Sequence, residues 1–406
     1  MRKLLMLISL LLLGWAAMAQ TDTLRLGYTA QGRVVDASTG RALESVHVSI
    51  PGRHQATVTN ADGYFVLKSD KPIDVVSCSF LGYHTQRVAP GTNLRIALRR
   101  ENIQLSEASI ISGDPRSIVE QAASSIWDYY CTEPQLLECF YRETLKKRSR
   151  YTYVAEAVAR LYKSAYSGYI QNDAAALEKS RVLMSQRRSD TLSVKTQGGP
   201  TMAVSLDLLK NKEILFNPED MNLYSYEMLQ PTYIGDRLQF VVKMTPRFTV
   251  EYALYNCTVY IDRELLTFTR IEASLDMQDK AKATRVMLVS KPLSLRFVPE
   301  ECSVVLNYRL EEDGHTRLSY CRTTMRFACD WRKRLFRTHY TAVNELVVTD
   351  VRPEAVPIHR QDRFRVHETL PDKAPAFYDP DFWQDYNIIE PSESLENAIA
   401  RLRRNR

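Results

Sequence analysis

Short runs of β-favouring residues, separated by turn-forming residues, recur along most of the chain and limit the folds open to it. Between residues 28 and 100 these runs are broken by Ser38-Thr39-Gly40, Pro51-Gly52, Asn60–Gly63 and Ala89-Pro90-Gly91. Short strands at this spacing are typical of a small all-β sandwich.

The turn Asn60–Gly63 shows this pattern most clearly. We expect Gly63 to adopt a positive φ and Asp62 to accept a hydrogen bond from a nearby backbone N–H. In the strand that follows, Phe65 and Leu67 share one face, which we predict to be the core side.

Longer β-rich runs follow between Arg237 and Met325, and they are separated by hairpin signals. Asp262-Arg263-Glu264 and Glu312-Asp313-Gly314 are turns of this kind. Long antiparallel strands with one apolar face tend to curve around a helix or a cavity. We therefore predict a mainly β protein: an N-terminal β-sandwich followed by an α+β antiparallel half-barrel domain. The strand candidates are Leu238–Met244, Thr249–Ile261, Leu266–Leu275, Arg285–Val289, Ser303–Tyr308 and Arg317–Met325.

Apolar residues that recur every three or four positions predict a helix from Pro115, with Asp114 as its N-cap. We expect this helix to close the concave side of the half-barrel. That side would hold an apolar ligand or be filled by core side chains, and the filled core is favoured. Shorter helices are predicted over Asp173–Leu183, Ser205–Lys210 and Glu393–Leu402.

The first 19 residues have the pattern of a secretory signal peptide. Arg2 and Lys3 precede an apolar run, Leu4–Leu13, that is shorter than the roughly 20 residues a membrane-spanning helix needs. Ala16–Ala19 suits cleavage, and the residue directly after it is not a cysteine, so the segment has no bacterial lipoprotein signal. We therefore expect an exported protein, periplasmic or associated with the outer membrane. An uncleaved anchor is the alternative. The predicted divisions are a signal peptide at 1–19, the sandwich at 28–100, the half-barrel at 114–350, and a C-terminal strap with a short helix at 351–406.

The net charge and the cysteine pattern bear on nucleic-acid binding, zinc binding and disulfide formation. The 406 residues include 54 Lys and Arg against 48 Asp and Glu, a net charge of +6, which is too balanced to indicate nucleic-acid binding. The seven cysteines form no CxxC pair and no Cys/His cluster at zinc-ligand spacing. Disulfides and buried free thiols both remain open for an exported chain. The cysteines are Cys78, Cys131, Cys139, Cys257, Cys302, Cys321 and Cys329.

A set of glycines, turn residues and apolar residues falls in one register across the sandwich region. The set comprises Gly32-x-Val34-x-Asp36, Thr39-Gly40, Leu43, Val46-x-Val48, Gly52, Thr57-x-Thr59-Asn60, Gly63-x-Phe65 and Ser79-Phe80-Leu81-Gly82-Tyr83. It resembles the carboxypeptidase-regulatory-like domain, a transthyretin-like sandwich common at the start of exported Bacteroidetes proteins. Ala42 and Asn60 depart from the family pattern, which usually has Pro and often Asp there, and both changes suit a turn. The resemblance implies an accessory binding module and not a peptidase.

The second region carries its own motifs: Phe140–Thr144, Glu156-Ala157, Gly198-Gly199-Pro200, Tyr260-Ile261-Asp262 and Asp381–Ile389. They resemble the C-terminal part of Bacteroidetes proteins that begin with a regulatory-like domain. The hairpin around Asp262 is also similar to hairpins in periplasmic lipoprotein carriers. That second similarity is an analogy of fold and implies no functional residues.

Motifs of catalytic chemistry are absent from the sequence, which has no Gly-rich phosphate loop, GxSxG elbow, HExxH or GxGxxG after a strand. Some carboxylates would suit a glycosidase-like acid–base pair, but their spacing does not bring them together, and structural or solvated roles are favoured. They are Glu143, Glu156, Asp262 and Asp385. Scattered histidines are interpreted as surface residues, namely His47, His54 and His84. We predict no enzyme, and no catalytic, cofactor-binding or metal-ligating residues.

Trp331-Arg332-Lys333-Arg334, together with Arg337, makes a basic and aromatic patch. Such a patch suits phosphate headgroups or lipopolysaccharide. A solvated strand edge protected by cations is the favoured interpretation.

These observations predict a non-enzymatic, exported cell-envelope protein with a regulatory-like binding or docking module. The alternative is a periplasmic carrier of an apolar ligand or lipid that uses the half-barrel. The expected partner is an envelope protein or an outer-membrane component, with an apolar ligand as the alternative, and no nucleic acid or cofactor. A TonB-dependent receptor is excluded because the chain is too short for a plug and a barrel of about 22 strands.

Overall fold

The computed structural model describes residues 27–101, 113–190, 192, 194–196, 199–331, 336–352, 354–365, 368–373, 383 and 386–404. The predicted signal peptide, residues 1–19, lies outside the described residues. Within them, no helix combines the length and the apolar character needed to cross a membrane.

The N-terminal lobe is a β-sandwich of two small sheets, as predicted. One sheet has the order β4-β1-β7 and the other the order β3-β2-β5-β6. Buried aliphatic side chains, among them Val34, Val48 and Ile96, fill the space between them. The strands are β1 (Tyr28–Asp36), β2 (His47–Ser49), β3 (Ala56–Val58), β4 (Tyr64–Ser69), β5 (Val76–Ser79), β6 (Gln86–Val88) and β7 (Leu94–Leu98).

The turn between β3 and β4 confirms the expectations for Gly63 and Asp62. Gly63 has a φ of +80°, Phe65 and Leu67 are buried in the core, and Asp62 Oδ2 accepts from the backbone N–H of Glu393 at 2.7 Å. Within the turn itself, the organising side chain is Asn60. Asn60 Oδ1 accepts hydrogen bonds from the N–H groups of Asp62, at 3.0 Å, and Tyr64, at 2.9 Å, because the first residue of such a turn faces the N–H groups that follow it.

The C-terminal lobe is built on one antiparallel sheet with the order β10-β9-β8-β20-β19-β18-β16-β15-β14-β12, and β13 also pairs with β14. The hairpins predicted at Asp262 and at Gly314 are confirmed, since β15 pairs with β16 and β18 with β19. The strands are β8 (Gln135–Lys147), β9 (Arg150–Lys163), β10 (Ala174–Met184), β11 (Lys195–Thr196), β12 (Tyr224–Met228), β13 (Thr232–Ile234), β14 (Arg237–Pro246), β15 (Tyr255–Asp262), β16 (Phe268–Leu275), β17 (Leu288–Ser290), β18 (Leu295–Leu310), β19 (Thr316–Trp331) and β20 (Thr338–Arg352).

Short helices flank this sheet. Asp114 caps the first of them by accepting from Ser117 N–H at 3.0 Å, as predicted, and the predicted C-terminal helix is also present. The helices are α1 (Pro115–Ser124), α2 (Ile126–Tyr129), α3 (Pro200–Ser205), α4 (Pro218–Met221), α5 (Lys280–Met287), α6 (Leu370–Lys373) and α7 (Glu393–Arg404). Single 3₁₀ turns lie at Ile170–Asn172, Arg188–Asp190 and Lys212–Ile214.

Three predicted elements are wrong. Asp173–Leu183 is not a helix but strand β10, because pairing with β9 along its length outweighs the helix propensity of its alanines. The helix predicted over Ser205–Lys210 lies earlier, as α3, and residues 207–210 form a turn that follows it. Arg285–Val289 is the end of α5 and the start of β17, because Asp279 caps α5 by accepting from two backbone N–H groups.

The concave side of the half-barrel is filled by a core, as the sequence favoured. Val119, Ala122 and Ile126 of α1 and α2 are buried against inward-facing strand residues such as Tyr141 and Phe268. The helix from Pro115 therefore packs on the concave side, and the segment around α3 and α4 joins it there through Val204, Leu209 and Met221.

The two lobes share a small core around a C-terminal segment, Trp383 and residues 386–391, which we call the interlobe segment. Its Trp383, Ile388 and Ile389 pack against Val58 of β3 and Phe140 of β8. Backbone carbonyls of the segment accept from both lobes. Thr57 Oγ1 donates to Ile388 O at 2.8 Å, and Arg142 Nη2 donates to Ile389 O at 2.5 Å. One face of the sandwich is therefore already occupied by the half-barrel of the same chain.

Candidate functional site

A cleft of about 270 Å³ lies between the sandwich and the half-barrel, and its lining mixes apolar and polar side chains. Strands β2, β5 and β6 supply one wall, and the β13–β14, β15–β16 and β18–β19 hairpins supply the other. Clefts between domains are common places for ligand sites. The lining side chains that carry hydroxyl or guanidinium groups are Ser45, Ser49, Ser77, Ser79, Thr85, Thr267, Thr269, Tyr308, Ser319, Arg87, Arg237, Arg270 and Arg309.

Carboxylates hold two of these arginines in fixed positions. Arg237 donates to both oxygens of Asp262, at 2.5 and 2.8 Å. Burial raises the pKa of the Asp262 carboxyl, but hydrogen bonds from Arg237 and from backbone N–H groups outweigh it and hold this pKa below its usual value. Arg270 donates to Glu272 and to Asn307, each at 2.7 Å. These guanidinium groups are therefore preorganised donors.

Arg309 connects the two walls of the cleft. It donates to Glu311 through Nε at 2.9 Å, and its Nη1 lies 2.7 Å from His47 Nε2 on the sandwich. Because a guanidinium only donates, His47 Nε2 is the acceptor and the imidazole is neutral. Burial, and then the charge of Arg309, lower the pKa of His47 to about 3. His47 is thus an interlobe contact and not the surface residue that we predicted.

Two neighbouring residues of the sandwich wall have unused binding capacity. Thr85 Oγ1 is buried and has no hydrogen-bond partner among the described residues. Arg87 is exposed and makes no ion pair within the described part of the chain. A buried hydroxyl without a partner costs free energy unless a water or a ligand satisfies it. Thr85 and Arg87 therefore have donors available to a ligand, beside the Asp236 carboxylate that accepts from Thr85 N–H at 3.0 Å.

A second, much smaller cavity lies inside the half-barrel. It measures about 50 Å³ and is lined mainly by apolar groups, including Tyr255, Met325 and Leu206. This is about a third of the roughly 150 Å³ cavity that holds a benzene molecule in a protein core. This cavity, as the described residues shape it, is therefore too small for an acyl chain.

Glu143 lies beside this inner cavity with no cation next to it. Its carboxylate accepts from Tyr141 OH at 2.7 Å, Tyr153 OH at 2.8 Å and Gly199 N–H at 2.8 Å. Burial raises the pKa of Glu143, although these three donors oppose the shift. The arrangement ties Gly199 to β8 and β9, and both carboxylate oxygens of Glu143 accept hydrogen bonds.

The three predicted carboxylates that the structure describes do not converge. Glu143 faces the concave side, whereas Glu156 faces the opposite side and accepts from Arg142 at 2.8 Å and Arg181 at 2.6 Å. Asp262 is paired with Arg237 at the cleft, and Asp385 lies outside the described residues. No acid–base pair forms among the three that are described.

Two of the three predicted histidines meet at one ion pair. His47 contacts Arg309, which donates to Glu311, and His54 lies 3.6 Å from the same Glu311, whereas His84 lies apart, 3.1 Å from Glu101. In the described part of the chain, no group of three His, Cys, Asp or Glu residues is placed to hold a metal ion.

The cysteines form no disulfide. All seven are free thiols, six of them buried and Cys302 half-buried. Burial raises the pKa of the Cys78 and Cys302 thiols to about 12, so both stay protonated and unreactive at neutral pH. Of the two interpretations left open by the sequence, buried free thiols are the correct one.

The predicted basic patch is described only in part. Trp331 is half-buried, and Arg337 pairs with Asp330 at 3.2 Å, while Arg332, Lys333 and Arg334 lie outside the described residues.

Sequence reasoning missed the interlobe cleft because its walls come from segments more than 100 residues apart. The alternation of Ser77 and Ser79 along β5 was the one local signal, since it places two hydroxyls on the same face.

A family model matches the N-terminal lobe. Residues 30–110, 81 of the 406, match the model of the CarboxypepD_reg-like domain. Comparison with curated proteins finds no match.

Similar solved structures were also found. An outer membrane lipoprotein-sorting protein domain from Vibrio parahaemolyticus is 12% identical with a TM-score of 0.25, over 61% of this chain and 95% of that one. A LolA superfamily protein from Nitrosomonas europaea is 12% identical with a TM-score of 0.19, and the match covers 62% of this chain and 100% of that one. A membrane-associated protein from Bacteroides fragilis is 8% identical with a TM-score of 0.15, and the match covers 80% of this chain and 98% of that one. At these TM-scores the likeness carries no function over to this chain. The N-terminal sandwich, in contrast, is a CarboxypepD_reg-like domain.

Proposed function

We propose that the protein is a non-enzymatic binding protein of the cell envelope, with its ligand site in the cleft between the two lobes. The ligand is a small polar molecule that carries a negative charge. The observation that carries this proposal is the cleft itself, in which fixed arginines and hydroxyl groups line about 270 Å³. That volume holds about nine water molecules at about 30 Å³ each, which is the size of a monosaccharide.

The chemistry of the cleft favours binding over catalysis. A serine or threonine nucleophile needs a base within hydrogen-bond reach. The Nε2 atom of His47, the histidine of the cleft, is already used by Arg309. The one carboxylate in the lining, Asp262, is held by Arg237. The lining groups are therefore donors that recognise a ligand, without an arrangement that would cleave it.

Export to the envelope is supported by the sequence pattern of residues 1–19 and by the regulatory-like domain at residues 30–110. The sandwich face that meets the half-barrel is covered by the interlobe contacts. In this proposal the sandwich contributes one wall of a shared site and does not act as an independent docking module on that face.

Calorimetric titration of the mature chain with glucuronate, and with glucose as the neutral control, tests the proposal. We expect glucuronate to bind with a Kd of roughly 0.01–1 mM and glucose to bind much more weakly. Arg87→Gln is expected to weaken glucuronate binding about tenfold, since a hydrogen bond to a charged group is lost. Arg41→Gln, an exposed arginine in a turn away from the cleft, is the matched control.

Equal binding of the acid and the neutral sugar, or no effect of Arg87→Gln, would contradict the site. A hydrolytic activity that disappears on replacing Glu143, Glu156 or Asp262 would contradict the non-enzymatic assignment.

The second candidate function is a carrier of an apolar ligand in the half-barrel. The apolar inner cavity favours it, although this cavity is small in the present conformation. Mass spectrometry of protein purified from its native envelope separates the two candidates. A stoichiometric co-purifying lipid supports the carrier, and its absence supports the cleft as the ligand site.

A further inference from the structure

One end of the half-barrel exposes large apolar side chains to solvent. Leu293 is 98% exposed, Phe336 77% and Val289 50%. Exposed apolar side chains are ordinary when single, but a group of them at one place marks an interaction surface.

The strand register places Leu293 and Phe336 at the same end of the sheet. Strands β18 and β20 both run antiparallel to β19, so their first residues lie at the same end. Leu295 pairs with Trp331, and Thr338 pairs with Cys329. Leu293 and Phe336 each precede their strand by two residues and therefore extend beyond this end. We call Val289, Lys291, Leu293, Arg296, Phe336 and Arg337 the tip.

The tip also carries an excess of positive charge. Lys291 and Arg296 are exposed, and neither makes an ion pair among the described residues. Arg337 pairs with Asp330. Arg148, in the adjacent β8–β9 turn, is exposed and donates its backbone N–H to His339 O at 2.8 Å. The acidic groups nearby are Asp330 and Glu300, and Glu300 contacts His339 at 2.8 Å.

Exposed apolar side chains beside cations such as Lys291 and Arg296, which make no ion pair among the described residues, suit an anionic bilayer surface. The apolar groups enter the interface, and the cations stay at the level of the phosphate groups. We propose that the tip docks the protein on an anionic lipid bilayer. This inference goes beyond the ligand site.

The tip and the cleft lie at opposite ends of the same strands. Leu295 begins β18, and Arg309 of the cleft lies 14 residues later. At about 3.3 Å per residue the two are roughly 45 Å apart along the strand. A chain docked through its tip therefore holds the cleft away from the membrane surface, open to the aqueous phase.

Co-sedimentation of the mature chain with lipid vesicles tests the proposal. We expect binding to vesicles of phosphatidylglycerol and phosphatidylcholine, weak binding to phosphatidylcholine alone, and a loss of binding as salt increases. The double variant Leu293→Ser with Phe336→Ser should bind the anionic vesicles at least about tenfold more weakly. Because both side chains are exposed, the fold should not change.

Tyr169→Ser is the matched control. Tyr169 is 79% exposed but follows the far end of β9, so its loss should not affect vesicle binding. The double variant Lys291→Gln with Arg296→Gln should lower binding to anionic vesicles on the order of tenfold and leave binding to neutral vesicles unchanged.

Failure of the chain to bind anionic vesicles would overturn the proposal, and so would equal binding by the Leu293 and Phe336 variant. A change of oligomeric state in that variant, measured by light scattering without lipid, would assign the tip to contact with a second copy instead. None of these outcomes affects glucuronate binding in the cleft, so the two proposals can fail separately.

Discussion

His47 shows how one residue can link the two lobes and make their association depend on pH. It is neutral, it accepts from Arg309, and Glu311 lies behind the guanidinium. Its pKa of about 3 in the folded chain lies well below the value of about 6.5 expected in the unfolded chain. Between these two values the unfolded chain binds a proton that the folded chain does not.

The free energy of unfolding should therefore fall as the pH decreases below about 6.5, with a loss of about 1–2 kcal/mol between pH 7 and pH 5 from His47. Urea denaturation at both pH values measures it. His47→Gln retains an acceptor for Arg309 and should remove this part of the pH dependence. His84→Gln replaces an exposed histidine and should leave the pH dependence of the free energy of unfolding unchanged. If this pH dependence were the same in the wild type and in His47→Gln, the assignment to His47 would be wrong.

Single residues were predictable where local geometry decides their role, and not where distant partners do. Gly63 and Phe65 follow from a turn and an alternating strand. Asp207 does not, since its hydrogen bonds come from Lys163 at 2.6 Å, Tyr166 at 2.7 Å and Tyr308 at 2.8 Å. The same reason explains why His47 was assigned to the surface, because its partner lies 262 residues away.

At the level of elements, the β3–β4 turn depends on the absence of a side chain. A Cβ added to Gly63 would lie 2.4 Å from Val34 O, and the φ there is +80°. Gly40 has a similar φ of +69° but nothing within 4 Å of such a Cβ. Comparing alanine substitutions at the two glycines therefore separates the cost of backbone strain from the cost of steric contact.

Gly63→Ala should lower the free energy of unfolding by more than about 2–3 kcal/mol, because strain and contact with β1 add. Gly40→Ala should cost only about 1 kcal/mol, the strain alone. Chemical denaturation of both variants measures the difference. Equal losses would show that the strand shifts and relieves the contact.

Hairpins were the elements best predicted, since Asp313-Gly314 and Asp262–Glu264 specify a turn locally. Strand β10 was missed because alanine-rich segments favour a helix in isolation, and only the adjacent β9 provides the ladder that makes the segment a strand. The end of α5 was predicted as a strand because its residues favour β-structure. The N-cap Asp279 starts a helix that continues through them, so here a local cap outweighs β propensity.

At the level of the whole molecule, the interlobe segment packs against both the sandwich and the half-barrel, and we expect it to couple their unfolding. Ile388 and Ile389 are buried between the lobes, and carbonyls of the segment accept from Thr57 and Arg142. Replacing both isoleucines removes apolar contacts on the two sides at once.

Ile388→Ala with Ile389→Ala should split thermal unfolding into two transitions, one for each lobe, because each truncation costs about 2–5 kcal/mol of a core that the lobes share. Calorimetry should show one transition for the wild type. Leu293→Ala, at the exposed tip, should leave that single transition unchanged. A single, shifted transition in the double variant would show that other contacts suffice to couple the lobes.

The overall class, a mainly β chain with a sandwich followed by a half-barrel, was predictable because strand periodicity and turn residues act locally. The cleft was not, because it exists only once β2, β5 and β6 are set against hairpins far along the sequence. Its arginines carry no local pattern that distinguishes them from other exposed arginines.

The interlobe segment follows both lobes in the sequence, yet it packs between parts of the molecule that are made before it. While the ribosome is still adding those positions, Val58 and Phe140 have no Ile388 or Trp383 to cover them. The nascent sandwich and half-barrel must therefore wait, each with an uncovered apolar face, until residues 383–389 have been synthesised. A premature stop codon anywhere before Trp383 would leave that face permanently open, however well each lobe had formed.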